Sequence, residues 1–123
     1  GQGNVPKTAA EDKDFEYDIR IAMIEEFFHR NFMKDIKISD LANFLHLSEK
    51  QTGRMIIKAF GTSFQNQLDK YRINSAKRLL RETKHSVKSI SEMVGYQSYN
   101  GFYYLFKRTV KMAPGQYREL MHR

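Results

Sequence analysis

Two stretches of this 123-residue chain repeat one plan at a separation of about fifty residues, and few folds accommodate such a duplication. Aligning ISDLANFLHLSEKQTGRMIIK with VKSISEMVGYQSYNGFYYLFKR places Ser48 on Ser98, Thr52 on Phe102, Ile56 on Phe106 and Lys58 on Arg108, all at an offset of 50. Upstream of the two serines the offset is 49, pairing Leu41 with Ile90, Leu45 with Val94 and Leu47 with Tyr96, so the second turn holds one extra residue. Each copy reads as a short apolar helix, a sharp bend, a serine cap and a second amphipathic helix.

The residues between and after the copies are also helical in pattern. Ser63 is a cap for a longer helix in which Phe64, Leu68, Tyr71, Ala76, Leu79 and Leu80 face inward, while Lys70, Arg72, Lys77, Arg78 and Arg81 occupy its other faces. About 19 residues at 1.5 Å each extend some 28 Å, enough to hold two small units apart at a fixed distance. In the second copy Gly95 supplies a turn, Ser98 a cap, and Lys107 with Arg108 a positive end; Pro114 then opens a last helix whose Tyr117 and Leu120 can fold back on the core.

Composition narrows the class. Two prolines, seven glycines and few β-branched runs leave little material for sheet turns, so the expected fold is all-α, with about seven helices. The absence of cysteine rules out disulfides and thiolate metal sites and suits a reducing, cytoplasmic setting. No apolar run approaches the roughly 18 residues that a membrane span needs.

At the front, residues 1–14 are polar and aperiodic and are expected to be a disordered linker or cloning remnant. From Tyr17 the stripe Tyr17, Ile21, Ile24 and Phe28, widened by Phe27 and Phe32, predicts a helix to about Asn31. The expected domain is then 15–123, with one bent helix pair at about 38–61, the connecting helix at about 63–83, the second pair at about 86–111 and a final helix at about 114–121. Ser39 is the expected start of the first short helix.

Charge divides the same way. Residues 1–36 hold 5 basic and 8 acidic side chains, whereas residues 37–123 hold 16 basic and 6 acidic. A basic unit behind an acidic leader points to a polyanionic partner. The four histidines lack ligand spacing, and there is no phosphate-binding glycine motif or activated nucleophile, so neither catalysis nor a cofactor or metal is expected.

From about Ile38 to Arg118 the chain resembles the DNA-binding domain of the AraC/XylS family of bacterial transcription regulators. The resemblance is carried by Ser48 through Arg54, Gly61-Thr-Ser-Phe64, Arg72 through Leu80, Ile90, Gly95-Tyr96, Phe102, Phe106-Lys107-Arg108, Pro114 and Tyr117-Arg118. It implies two helix-turn-helix subdomains whose recognition helices enter neighbouring major grooves of double-stranded DNA. It also implies a longer protein with a separate sensing or dimerising domain, this portion being monomeric by itself.

Four positions depart from the family pattern. Lys111 stands where a glycine usually ends the second recognition helix, which predicts an ending other than a left-handed one. Ala113 replaces a Ser or Thr cap, Tyr104 an arginine and Ile57 a lysine.

On this reading Lys50, Gly53 and Arg54 in the first recognition helix, and Tyr99, Asn100, Tyr103 and Tyr104 in the second, are the candidates for reading base edges. Ser48, Gln51, Lys58, Ser98, Lys107, Arg108 and Lys111 are the candidates for phosphate contact. Lys50 or Arg54 could instead be solvated, or paired with Glu49 or Asp40, and Gly101 could be no more than a tolerated weakness. Phe102 and Phe106, at i and i+4, are expected in the core, and Tyr103 is balanced between core and groove. Two other functions fit the tyrosine-rich helix: an adaptor that binds a protein such as RNA polymerase, and, ranked last, a single-stranded RNA binder stacking on Tyr96, Tyr99, Tyr103 and Tyr104.

Overall fold

A computed structural model describes residues 8–123, which form seven α-helices and, among the described residues, no strand. They are α1 (Ala9–Asn31), α2 (Ile38–Leu45), α3 (Glu49–Phe60), α4 (Phe64–Glu82), α5 (Val87–Met93), α6 (Tyr99–Val110) and α7 (Pro114–Met121). No helix among the described residues is long and apolar enough to cross a membrane.

The helix starts follow from local hydrogen bonding. Ser48, Ser63, Ser86 and Ser98 each accept a bond from a backbone N–H three residues on, at 3.0 to 3.2 Å, satisfying donors that the helix leaves free. Two starts differ from the sequence reading. Residues 1–7 of the expected disordered leader lie outside the described residues, but from Ala9 onward the leader is helical. A reciprocal pair of bonds explains why: the Thr8 hydroxyl accepts from the Glu11 N–H, and the Glu11 carboxylate accepts from the Thr8 N–H, both at 3.1 Å. Helix α2 begins at Ile38, one residue ahead of the expected start at Ser39, with Lys37 as its cap residue, because the Asp40 carboxylate accepts from the Lys37 N–H at 2.8 Å.

The duplication extends to backbone geometry. Gly61 ends α3 and Lys111 ends α6 at the same left-handed angles, φ 72° and ψ 15°. The other ending expected at Lys111 is therefore overturned. Only two residues separate Lys111 from Pro114, whose helix must turn back so that Tyr117 is buried and its ring meets Phe106 at 5.7 Å. His46 and Gly95, at the 49-residue offset, both carry positive φ and make the bends inside the two pairs.

Two cores result. In the first, Ile24, Phe27 and Phe28 of α1 meet Leu41, Leu45, Ile56 and Leu68. In the second, Ile73, Ala76 and Leu80 meet Ile90, Val94, Phe102, Phe106 and Tyr117. Helix α4 serves both, giving Leu68 to one and Ile73, Ala76 and Leu80 to the other, and Phe32 packs against both. The expected core places of Phe102 and Phe106 hold, since both are fully buried; Leu120 is 42% exposed and does not fold back.

The connecting helix carries one further correction. Arg72, assigned to an outer face with Lys70 and Arg78, is buried; its Nε donates to the Phe32 carbonyl at 2.7 Å and its Nη2 to the Lys34 carbonyl at 2.8 Å. At the far end of α4, Arg118 of α7 donates to the Leu80 and Thr83 carbonyls at 3.1 and 3.3 Å, placing a cation at the negative helix terminus.

Candidate nucleic-acid interface

Helices α3 and α6 are each anchored by a buried pair one turn apart, Thr52 with Ile56 in α3 and Phe102 with Phe106 in α6. This leaves the other faces to solvent, including Lys50, Gln51, Arg54, Ile57 and Lys58 in α3, and Tyr99, Asn100, Tyr104, Lys107 and Arg108 in α6. The first helix spreads its cations along its length, whereas the second gathers Lys107 and Arg108 in its last turn. At the 50-residue offset Lys50, Arg54 and Lys58 correspond to Asn100, Tyr104 and Arg108.

Neither Lys50 nor Arg54 has a carboxylate within salt-bridge distance. Among the described residues the ion pairs are Arg30 with Glu26 and Arg78 with Glu82, and Asp40 is occupied with the Lys37 N–H. The two cations are therefore available to an external anion. Gln51, Arg54 and Lys58 line one shallow hollow with Tyr17 and Arg20 of α1, which sequence reasoning had left outside the site. The Lys58 ammonium stands 4.7 Å from the centre of the Tyr17 ring, a cation–π contact that holds it on this flank. Tyr17 and Arg20 lie one turn apart, so the α1 stripe that predicted packing also carried the signal for Arg20.

Ser48 and Gln51 are committed to each other. The Ser48 hydroxyl accepts from the Gln51 N–H and the Gln51 side-chain oxygen accepts from the Ser48 N–H, both at 3.0 Å, which leaves the amide nitrogen of this exposed side chain as its remaining donor. Gly53 turns the other way, toward α2: a β-carbon there would lie 3.6 Å from Ile38 Cδ1, in ordinary contact. The space it leaves lies within its own subdomain, beside Ile36 and the exposed Ile57.

In α6 the tyrosines form a connected group. The Tyr103 ring lies 6.3 Å from Tyr99 and 5.7 Å, edge-on, from Tyr104. Tyr103 is half-buried, whereas Tyr104 is 70% exposed. Tyr104, Lys107 and Arg108 border a hollow floored by Gly101 and Leu105. Arg108 also reaches a cleft between the two subdomains, opposite Thr62, Asn66 and Lys70. Ser98 is used as the α6 cap, accepting from the Gly101 N–H at 3.1 Å, and Lys111 is exposed at the helix end.

Behind these helices Tyr96, in the bend before α6, donates its hydroxyl proton to Asp69 Oδ1 of α4 at 2.8 Å. Burial, then the hydrogen bond to Asp69 and its negative charge, push the Tyr96 hydroxyl far above its ordinary pKa, while nearby Arg72 pulls the other way and is outweighed. Tyr96 therefore remains a donor throughout the neutral range.

This arrangement can be set beside known proteins. A family described as a helix-turn-helix domain matches residues 41–120. The C-terminal domain of the two-component response regulator YesN from Fusobacterium nucleatum is 32% identical, with a TM-score of 0.75, covering 79% of this chain and 95% of that one. The DNA-binding domain of AdpA, a global transcriptional factor solved in complex with a target DNA, shares the fold at a TM-score of 0.72 and 22% identity, covering 85% of this chain and 91% of that one. The uncharacterized HTH-type transcriptional regulator YtdP of Bacillus subtilis is 30% identical over 96 residues, which are 78% of this chain and 12% of the relative's length. With paired helix-turn-helix units on one shared helix and a match through both of them, the chain belongs to the AraC-type family of helix-turn-helix DNA-binding domains.

Proposed function

We propose that this domain binds double-stranded DNA sequence-specifically, as the C-terminal part of a bacterial transcription regulator, by inserting α3 and α6 into successive major grooves. The observation that carries the reading is the pair of helices built alike: a serine cap, a buried anchor one turn apart, a left-handed ending and a solvated polar face, both mounted on α4. Lys50 and Arg54, unpaired and exposed near the start of α3, have the chemistry for base edges, and Arg54 can grip guanine with two hydrogen bonds. Asn100 can bridge adenine, and Tyr99, Tyr103 and Tyr104 can meet thymine methyl groups or donate to phosphate. Lys58, Lys107, Arg108 and Lys111, further along their helices or at their ends, suit phosphates, which supply affinity and register.

The expected site is non-palindromic, with its two halves about 34 Å apart along the duplex. Selection from random duplex DNA followed by footprinting tests this. Arg54→Ala and Asn100→Ala should each relax a different half of the selected sequence, and protection confined to one groove would refute the reading. The exposed Tyr104 and Ile57 favour one alternative, an adaptor that docks on a protein such as RNA polymerase. Under that alternative the domain fails to bind duplex DNA even at low salt.

A further inference from the structure

Two small units that meet a common rod at opposite ends can shear or twist against one another as the rod bends. In this chain a continuous set of contacts opposes that motion. Arg72, near the middle of α4, donates to the Phe32 and Lys34 carbonyls at the entry to the first subdomain. On its other side its guanidinium carbon lies 5.1 Å from the centre of the Tyr96 ring, in the bend of the second subdomain. The Tyr96 ring packs 5.5 Å from Phe102 of α6, and its hydroxyl is tied to Asp69, three residues before Arg72 on the rod. Gly95 completes the fit, because a β-carbon there would come within 2.9 Å of Arg72 Nε. A buried cation satisfied by two carbonyls and a ring is costly to disturb, since moving the first unit takes away both carbonyls and moving the second takes away the ring.

We infer that Arg72, Tyr96 and Asp69 are positioning residues that fix the separation and rotation of α3 relative to α6, so that the domain measures the spacing between its two half-sites as well as reading them. This inference rests on the two-groove reading above. Inserting one base pair between the half-sites moves them apart by about 3.4 Å and rotates them by roughly a tenth of a turn, which a rigid pair of helices cannot follow.

The test compares affinity for the selected site with affinity for the same site carrying one inserted base pair. The intact domain should lose about a hundredfold or more on insertion. Tyr96→Phe keeps the ring against Arg72 and Phe102 but removes the bond to Asp69; it should bind the original site within about threefold and lose only about tenfold on insertion. Asp69→Ala, which also frees Gln65 on the helix surface, should relax the penalty to the same extent, and combining the two changes should relax it no further. Equal insertion penalties in the intact domain and Tyr96→Phe would overturn the inference, even if the variant melts at a lower temperature, because its role would then be structural alone. An intact domain that protects a single groove would instead sink the two-groove reading itself.

Discussion

At the scale of single residues, Lys111 shows how a local preference yields to its surroundings. A left-handed backbone costs a residue with a β-carbon about 1 kcal/mol or more, yet Lys111 adopts it at the head of a two-residue connection to Pro114, whose helix carries Tyr117 back onto Phe106. Lys111→Gly should therefore raise stability by roughly 0.5 to 1 kcal/mol in urea denaturation, the gain being trimmed by the greater freedom of glycine in the unfolded chain. No lower stability than that of the original protein is compatible with the geometry. Sequence reading missed this ending because it weighs the residue and not the packing of Phe106 on Tyr117 that dictates the turn. The same blindness applied to Arg72. A basic residue among Lys70, Lys77 and Arg78 looks solvated until the carbonyls it serves, 38 and 40 positions earlier, are brought beneath it.

At the scale of helices, α3 and α6 differ in how firmly their first turns are closed. In α3 the third residue, Gln51, returns a bond to Ser48, whereas in α6 the corresponding residue is Gly101 and has no side chain to return. Ser98→Ala should cost about 1 kcal/mol, since it leaves the start of α6 without a side-chain acceptor. Gly101→Gln should gain about as much, by removing the entropic penalty of glycine and supplying the missing bond. Thermal denaturation of both variants checks the pair of signs, and a destabilised Gly101→Gln would contradict the second. The space is there, because a β-carbon at Gly101 would meet only Ser98, at 3.5 Å. Most of this scale was legible in the sequence. Four serine caps, the Gly61 ending and the apolar stripes of α3, α4 and α6 need only neighbours within a few positions. The first turns of α1 were not read because they lack apolar periodicity, although Thr8 and Glu11 stood at capping distance.

At the scale of the whole domain, the acidic leader is not set apart from the basic surface, because α1 lies along the flank of α3 and contributes Arg20 to the hollow beside Arg54 and Lys58. If that hollow receives a phosphate, Arg20→Gln should weaken binding to all sequences alike and flatten the log–log salt dependence by about 0.9. A salt titration of both proteins on one duplex makes the comparison, and an unchanged slope would remove Arg20 from the contact surface. Juxtapositions of this kind, like the meeting of Tyr96 with Asp69, join residues far apart in the chain and leave no periodic trace, so sequence supplied the participants without their partners.

Phe32 belongs to both apolar clusters, wedged where α1 gives way to the first bent pair. Prising open either half strips that ring of part of its cover and exposes hydrocarbon shared with the other. Injury on one side should thus be felt on the other, and the duplicated halves, for all their likeness, are expected to melt in one cooperative transition, which calorimetry would show as a single peak.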